Sequence, residues 1–229
     1  MDKVAIGCVV RDRAWVLPEY LQALQEISYP HKLYLFLEND SRDNTKKILE
    51  ETTLDAEKII YSINTRSPHG IREQHSAHQF ANLAFLRNQF IERFLETDAH
   101  YLLSVDSDII VPPTLLERLL SGGPKLIVGA AISNVPGQRL DGRSPGNFLI
   151  YRNGLYIHPP TYPLQGYMDV DITGAVYLIP RQALEDGVRY GPHPLGEDAP
   201  FCLQARKKGY TLRVLLDLQC DHRMNRDFA

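Results

Sequence analysis

An α/β fold, with a mixed but mainly parallel central sheet flanked by helices, is what the sequence predicts, and three observations predict it. Short β-branched apolar runs alternate with helically spaced apolar patterns through the first half of the chain. The run Tyr101-Leu102-Leu103-Ser104-Val105 leads straight into Asp106-Ser107-Asp108, so carboxylates emerge where a parallel strand ends, the edge at which open α/β sheets bind ligands. The second half changes to hairpin signals, with an Asn153-Gly154 turn between the apolar runs at 148–151 and 155–157.

Taken in order, residues 4–10 form the first strand, and Leu17, Tyr20, Leu21 and Leu24 recur at helical spacing before Tyr29-Pro30 closes that segment. A strand at 33–37 precedes a helix from about residue 43, with Ser41 expected as its N-cap, and Ile59-Ile60-Tyr61-Ser62-Ile63 is a third strand. The polar stretch 64–78, with Pro68 and Gly70, is long enough for a functional loop. Phe80, Leu83, Leu86, Phe90, Ile91 and Phe94 then line one face of a long helix, an aromatic stripe that belongs to the core. Residues 126–132 read as a buried strand, and a strand pair spans about 170–179. A last helix opens at Gly196-Glu197-Asp198 and is closed by Gly209, and a strand follows at 211–215. Without repeats or a linker, residues 1–229 make one domain.

Composition narrows the function. The chain has 229 residues, 44% hydrophobic and 23% charged, and a formal charge of −3; nucleic-acid binders carry a strongly basic face instead. Its longest apolar runs fall far short of the ~20 residues of a membrane helix, so no integral membrane segment is expected. The first residues lack a signal-peptide pattern, and three widely spaced cysteines, Cys8, Cys202 and Cys220, suit buried thiols in a reducing compartment. A cytoplasmic location is the expectation.

Asp106 and Asp108 stand two apart, so in extended backbone both side chains would point to one side and share a divalent cation. Oxygen ligands favour Mg²⁺ or Mn²⁺, which bind through one or two carboxylates plus substrate phosphates. The aspartate nucleophile and acid of haloacid-dehalogenase-like phosphotransferases share this local pattern, but there it sits near the N-terminus, whereas here about a hundred residues precede it and Ile110 stands in its fifth position. His75-Ser76-Ala77-His78 lacks the HExxH spacing of zinc proteases.

Several blocks in order carry a resemblance: the first strand, Leu17-Pro18-Glu19-Tyr20-Leu21, Glu38-Asn39-Asp40-Ser41-Arg42-Asp43-Asn44-Thr45, Leu86-Arg87-Asn88, Asp106-Ser107-Asp108, Thr173-Gly174-Ala175 and Gly196-Glu197-Asp198. With these the chain resembles GT-A glycosyltransferases of the family 2 type, and among them sequences related to procollagen galactosyltransferases. The resemblance implies a metal-dependent hexosyltransferase that moves a sugar from a nucleotide-diphosphate donor, with UDP-hexose favoured, to the hydroxyl of a glycan, protein or small molecule. It implies a nucleotide-sugar half at 1–111 and an acceptor half at 112–229. Backbone near Val10 and Arg11 would face the nucleotide, with Glu38 toward base or ribose, Arg87 near base or phosphates, and Asp106, Ser107 and Asp108 at the diphosphate. Metal ligands would be Asp106, Asp108 and His222, and Arg223 or Arg226 could neutralise phosphate. Asp198 would be the base of an inverting reaction, its carboxylate kept ionised by a helix N-terminus, with Glu197 orienting the acceptor beside it. Asp171 and Gly174 would lie on the acceptor side. A nucleotidyltransferase would carry a glycine-rich loop after the first strand, which Arg11-Asp12-Arg13-Ala14-Trp15 lacks; a non-catalytic sugar-nucleotide-binding module would tolerate loss of motifs that are intact here.

Overall fold

The period of two in the apolar runs sets the layers. In the computed structural model, which describes residues 1–65, 77–123, 125–135 and 137–224, the first strand β1 (Val4–Val10) turns Val4, Ile6, Cys8 and Val10 to one core and Ala5 to the other, the alternation that strand geometry imposes. Burial on both faces is why the run is apolar throughout. The same logic gives β2 (Lys32–Asn39), β3 (Lys58–Ile63) and β4 (Tyr101–Val105), separated by α1 (Leu17–Gln25), α2 (Thr45–Glu51) and α3 (Ala77–Leu95). These four strands pair in parallel.

The chain continues through β5 (Ile109–Ile110), α4 (Leu115–Leu120), β6 (Leu126–Ala131), β7 (Phe148–Arg152), β8 (Leu155–Ile157), β9 (Tyr167–Asp169) and β10 (Ile172–Thr173). It ends with β11 (Val176–Pro180), α5 (Arg181–Glu185), α6 (Asp198–Lys207), β12 (Thr211–Gln219) and β13 (Asp221–His222). Among the described residues the main sheet has eight strands in the order β3-β2-β1-β4-β11-β6-β12-β9, with β11 antiparallel to both neighbours. Two small sheets, β10-β7-β8 and β13-β5, stand beside it. The expected mixed, mainly parallel α/β architecture is present.

Two cores cover the sheet. Phe90, Phe94, Leu184 and Phe201 from α3, α5 and α6 fill one, and Leu17, Tyr20, Leu24, Leu115 and Leu119 from α1 and α4 fill the other. Each such side chain contributes about 1.5–3 kcal/mol when fully buried. The cysteines are all buried and unbridged, and burial pushes the Cys8 and Cys220 thiols up to about 12, which leaves them inert.

Three local expectations need correction. Ser41 does not cap α2: the helix starts after Asn44, and the Ser41 hydroxyl accepts from the Asp12 amide instead. The last long strand runs to Gln219, past a register shift against β6 between Leu215 and Gln219. Helix α3 begins at Ala77, so His78 lies in its first turn, while His75 and the centre of the 64–78 loop are outside the described residues. Gly209 follows α6 with φ +86°, the left-handed conformation of a C-terminal cap. Among the described residues no helix is long and apolar enough to cross a membrane.

Candidate active site

β1 and β2 end side by side, with Val10 opposite Glu38. The Val10 side chain is in the core, which leaves its backbone to face the sheet edge. The two loops beyond are sewn together: Asp12 N donates to Ser41 Oγ at 3.1 Å, Arg42 N to Asp12 Oδ1 at 2.7 Å, Arg13 N to Thr45 Oγ1 at 2.7 Å and Ala14 N to Asp43 Oδ2 at 3.0 Å. Asp12 and Asp40 adopt φ of +49° and +51°, which short polar side chains tolerate. Glu38 is buried and its Oε1 accepts the Ser41 amide at 2.8 Å, so one of its oxygens closes the turn. Arg11 Nε lies 3.8 Å from Asp12 Oδ2.

Asp106-Ser107-Asp108 is a turn, not the extended backbone that its spacing suggests. Asp106 O accepts from Ile109 N at 3.0 Å, which closes a turn with Ser107 buried in it, while Asp106 N donates to Ala175 O at 2.8 Å. The two carboxylates have different partners. Asp106 is bonded by Arg87 Nη2 at 2.7 Å. The short ladder of β5 with β13 pairs Ile109 with His222 and brings His222 Nε2 to 3.7 Å from Asp108 Oδ1. Arg13 Nη2 stands 3.4 Å from Asp108 Oδ2. Burial works against ionisation of Asp108, but the nearby His222 imidazole and the Arg13 charge prevail and hold its carboxyl below the ordinary range.

This donor set fits a hard divalent cation: an ionised carboxylate with an imidazole beside it. Among the described residues no three His, Cys, Asp or Glu side chains gather to hold an ion alone, so water and ligand phosphate oxygens would complete the shell, as is usual for Mg²⁺ with nucleotides. Arg13 was missed in the sequence because a loop arginine has no periodicity to mark it. Arg223 is engaged by Glu19 at 2.7 Å, and Arg226 is outside the described residues.

On the other side of Asp106, Arg87 is buried on the inner face of α3, not on an exposed helix face. Its Nε bonds Glu197 Oε1 at 2.9 Å, so one guanidinium joins Asp106 to Glu197. Such a bridge offsets the cost of burying the Glu197 carboxylate, which is 5% exposed. Asp198 opens α6 without capping it; its Oδ1 accepts from Tyr177 Oη at 2.8 Å. Burial outweighs both the helix terminus and the nearby Arg87, and raises its carboxyl to about 7, contrary to the expectation that the helix end would favour ionisation. Gly174 lies under it so closely that a Cβ there would meet Asp198 Oδ2 at 2.2 Å.

Asp106, Arg87, Gly174, Glu197 and Asp198 line one cavity of about 580 Å³, walled further by Tyr156 and other residues of the β10-β7-β8 sheet. Asp171 is not among its lining residues: it accepts from the Tyr151 amide and pairs with Arg206. The arrangement sets a cluster of Asp108, His222 and Arg13 that is compatible with a cation, and a separate carboxylate of raised pKa, Asp198, lining a ligand-sized cavity.

No protein-family model and no curated protein sequence matches the chain. Solved structures do. TarS 1-349 of S. aureus in complex with UDP-GlcNAc matches with a TM-score of 0.64 at 14% identity, over 99% of this chain and 60% of that one. GalNAc-T7 with UDP, GalNAc and Mn²⁺ gives 0.71 at 12% identity, over 100% and 44%. The chain has the GT-A fold. The mannosyltransferase PcManGT from Pyrobaculum calidifontis, in complex with GDP-Man and Mn²⁺, adds a match of 0.62 at 15% identity, over 99% and 58%. The chain thus spans three-fifths or less of these chains, and what it shares with them is the GT-A fold.

Proposed function

We propose that this chain is a metal-dependent, inverting glycosyltransferase that moves a hexose from a nucleotide-diphosphate donor to an acceptor hydroxyl, with Asp198 as the base. The observation that carries the reading is the placement of Asp198, over the bare Cα of Gly174, in the same cavity as Asp106, which a single turn joins to Asp108, itself 3.7 Å from His222 Nε2. A donor along the edge would run its nucleotide past the Val10–Arg11 backbone and Glu38, and its diphosphate to Ser107, Asp108 and Arg13. The nucleotide half is then 1–111 and the acceptor half 112–229, and the chain needs only a cytoplasmic supply of sugar nucleotide. UDP-hexose is the favoured donor, supported by the UDP-containing ligands of TarS and GalNAc-T7.

In the step proposed, the acceptor oxygen attacks the anomeric carbon on the face opposite the diphosphate. The new C–O bond forms as the bond to the diphosphate oxygen breaks, and the hydroxyl proton passes to Asp198. A bound Mn²⁺ or Mg²⁺ supplies positive charge against the departing diphosphate. Arg13 adds to that charge from the protein. Arg87 keeps Asp106 and Glu197 paired, so that Asp198 is the carboxylate left to accept a proton.

Asp198→Asn tests the reading. It keeps size and removes the basic oxygen, so UDP plus Mn²⁺ should bind in calorimetry as to the unmodified protein, while sugar transfer or donor hydrolysis falls by about 10²-fold or more, the scale of general-base assistance. Near-normal transfer by the variant would move the base elsewhere or make the enzyme retaining.

A further inference from the structure

Two buried phenols stand behind Asp198 with no part yet in the reaction. Tyr177 lies in β11, whose Val176-Tyr177-Leu178-Ile179 run reads as plain core, and its ring packs edge-on against Phe201 with centroids 5.8 Å apart. Its hydroxyl donates to Asp198 Oδ1 at 2.8 Å and also meets the Tyr190 hydroxyl. A phenol has one proton, so once the Tyr177 proton is on the carboxylate, the bond between the phenols is donated by Tyr190.

Tyr190 is itself fixed on every side. Asn88 bonds its backbone twice, Oδ1 accepting from Tyr190 N at 2.9 Å and Nδ2 donating to Tyr190 O at 3.1 Å. Its ring stacks on Phe201 with centroids 4.5 Å apart and lies 5.4 Å from the Arg87 guanidinium. The neighbouring residues Arg87 and Asn88 of α3 thereby serve one end: the first holds Asp106 and Glu197, the second holds the phenol that backs Tyr177. Seen from Asp198, Oδ1 is bound from behind and Oδ2 lies against Gly174, where the absent side chain leaves room.

Resting on the proposed glycosyl transfer, we infer that Tyr177, backed by Tyr190, is a positioning residue that fixes the Asp198 carboxylate through Oδ1 and leaves Oδ2 to take the acceptor proton. The geometry gives the two oxygens separate work. Were the phenols merely a satisfied polar pair in the core, neither the ionisation of Asp198 nor turnover would depend on them beyond folding.

The experiment uses Tyr177→Phe and Tyr190→Phe in the full chain, since phenylalanine keeps the ring packing. Asp198 is followed by NMR of protein labelled with ¹³C at the aspartate carboxyls and assigned with Asp198→Asn, a readout that needs no turnover. The charged and titratable groups facing Asp198 are Arg87, Glu197, Asp106, Tyr177, Tyr190 and Cys202, with Tyr156 and His158 lining the same cavity, and only Tyr177 and Tyr190 are altered. We expect Tyr177→Phe to bind UDP with Mn²⁺ normally, to move the Asp198 midpoint upward, to lower kcat about 10-fold with little change in donor KM, and to shift the acid limb of the pH–rate profile with the midpoint. Tyr190→Phe should do the same more weakly, and it decides the matter if Tyr177→Phe fails to fold. An unmoved midpoint overturns the anchor. A moved midpoint with unchanged kcat overturns the positioning role, and absence of transfer or hydrolysis by the unmodified protein, tried with UDP- and GDP-hexoses, overturns the role of Oδ2 together with the proposed function, while the titration still decides the anchor.

Discussion

At Asp198 the cost of burial and the demands of the proposed reaction meet in one side chain. Its carboxyl is raised from an ordinary 3.8 to about 7, chiefly by burial, with Arg87 pulling against it and Glu197 and Asp106 adding to it. Linkage then fixes the sign of a stability effect. Below about pH 4 the group is neutral in folded and unfolded chains alike; between about 4 and 7 the unfolded chain ionises first, so folding stability falls as pH rises; above the folded value the loss is complete. Asp198→Asn cannot ionise and escapes this loss. Urea unfolding of both proteins from pH 4 to 8 should show the variant gaining relative stability through that window and levelling off near pH 7 to 8; parallel curves would remove burial as the cause. The side chain could be singled out in the sequence because it sits in a recognisable Gly-Glu-Asp block. Tyr177 could not, since an aromatic inside Val176–Pro180 has the pattern of any core strand, and its hydrogen bond is made to a residue 21 positions away.

Among the elements, β1 to β4 were legible because each is a run of five to eight residues with strong apolar character, long enough for a period to express itself. The ladder of β5 with β13 was not: two residues on each side have no period, and the pairing spans more than a hundred residues of chain. Yet this ladder brings His222 to Asp108, because the pairing of Ile109 with His222 and the bond from Arg223 N to Asp108 O at 2.8 Å fix both backbones at that point. The turn at 106–109 explains the other failure, since alternation of side chains holds only in extended backbone. If the ladder serves the cation, His222→Ala should bind Mn²⁺ in the presence of UDP at least 10-fold more weakly, the lower end of what even outer-shell partners contribute. Electron paramagnetic resonance of free Mn²⁺ reads this directly without turnover. Unaltered affinity with the fold intact would leave Asp108, water and the nucleotide as the whole shell.

Over the whole molecule, the sheet joins both halves: β11 enters antiparallel between β4 and β6, so Asp106 at the end of β4 and Ala175 just before β11 are bonded neighbours. No sequence pattern announces that insertion, because strand order is decided by long-range packing. Its consequence is that the proposed donor and acceptor sites share one sheet, and a ligand at the edge should stabilise all of it. A sugar nucleotide at 100 times its dissociation constant adds about 2.7 kcal/mol, which for a domain of this size raises Tm by about 5–10 °C, taking about 2–4 °C per kcal/mol. Solved structures of the same fold hold UDP-GlcNAc, UDP with GalNAc, and GDP-Man, so the base is an open variable and the screen must include UDP-, GDP- and dTDP-hexoses, each with and without Mn²⁺. We expect the UDP-sugars to raise Tm only when Mn²⁺ is present, and Asp108→Ala to abolish the rise; the free variant should melt somewhat below the unmodified protein, because the lowered Asp108 carboxyl, beside Arg13 and His222, stabilises the fold at neutral pH, so the ligand-induced shift is read against each protein's own free Tm. A rise with UDP-sugar that persists in Asp108→Ala, or one that ignores Mn²⁺, would show that the diphosphate is held by Arg13 and backbone amides alone, and the metal-dependent reading would have to be abandoned.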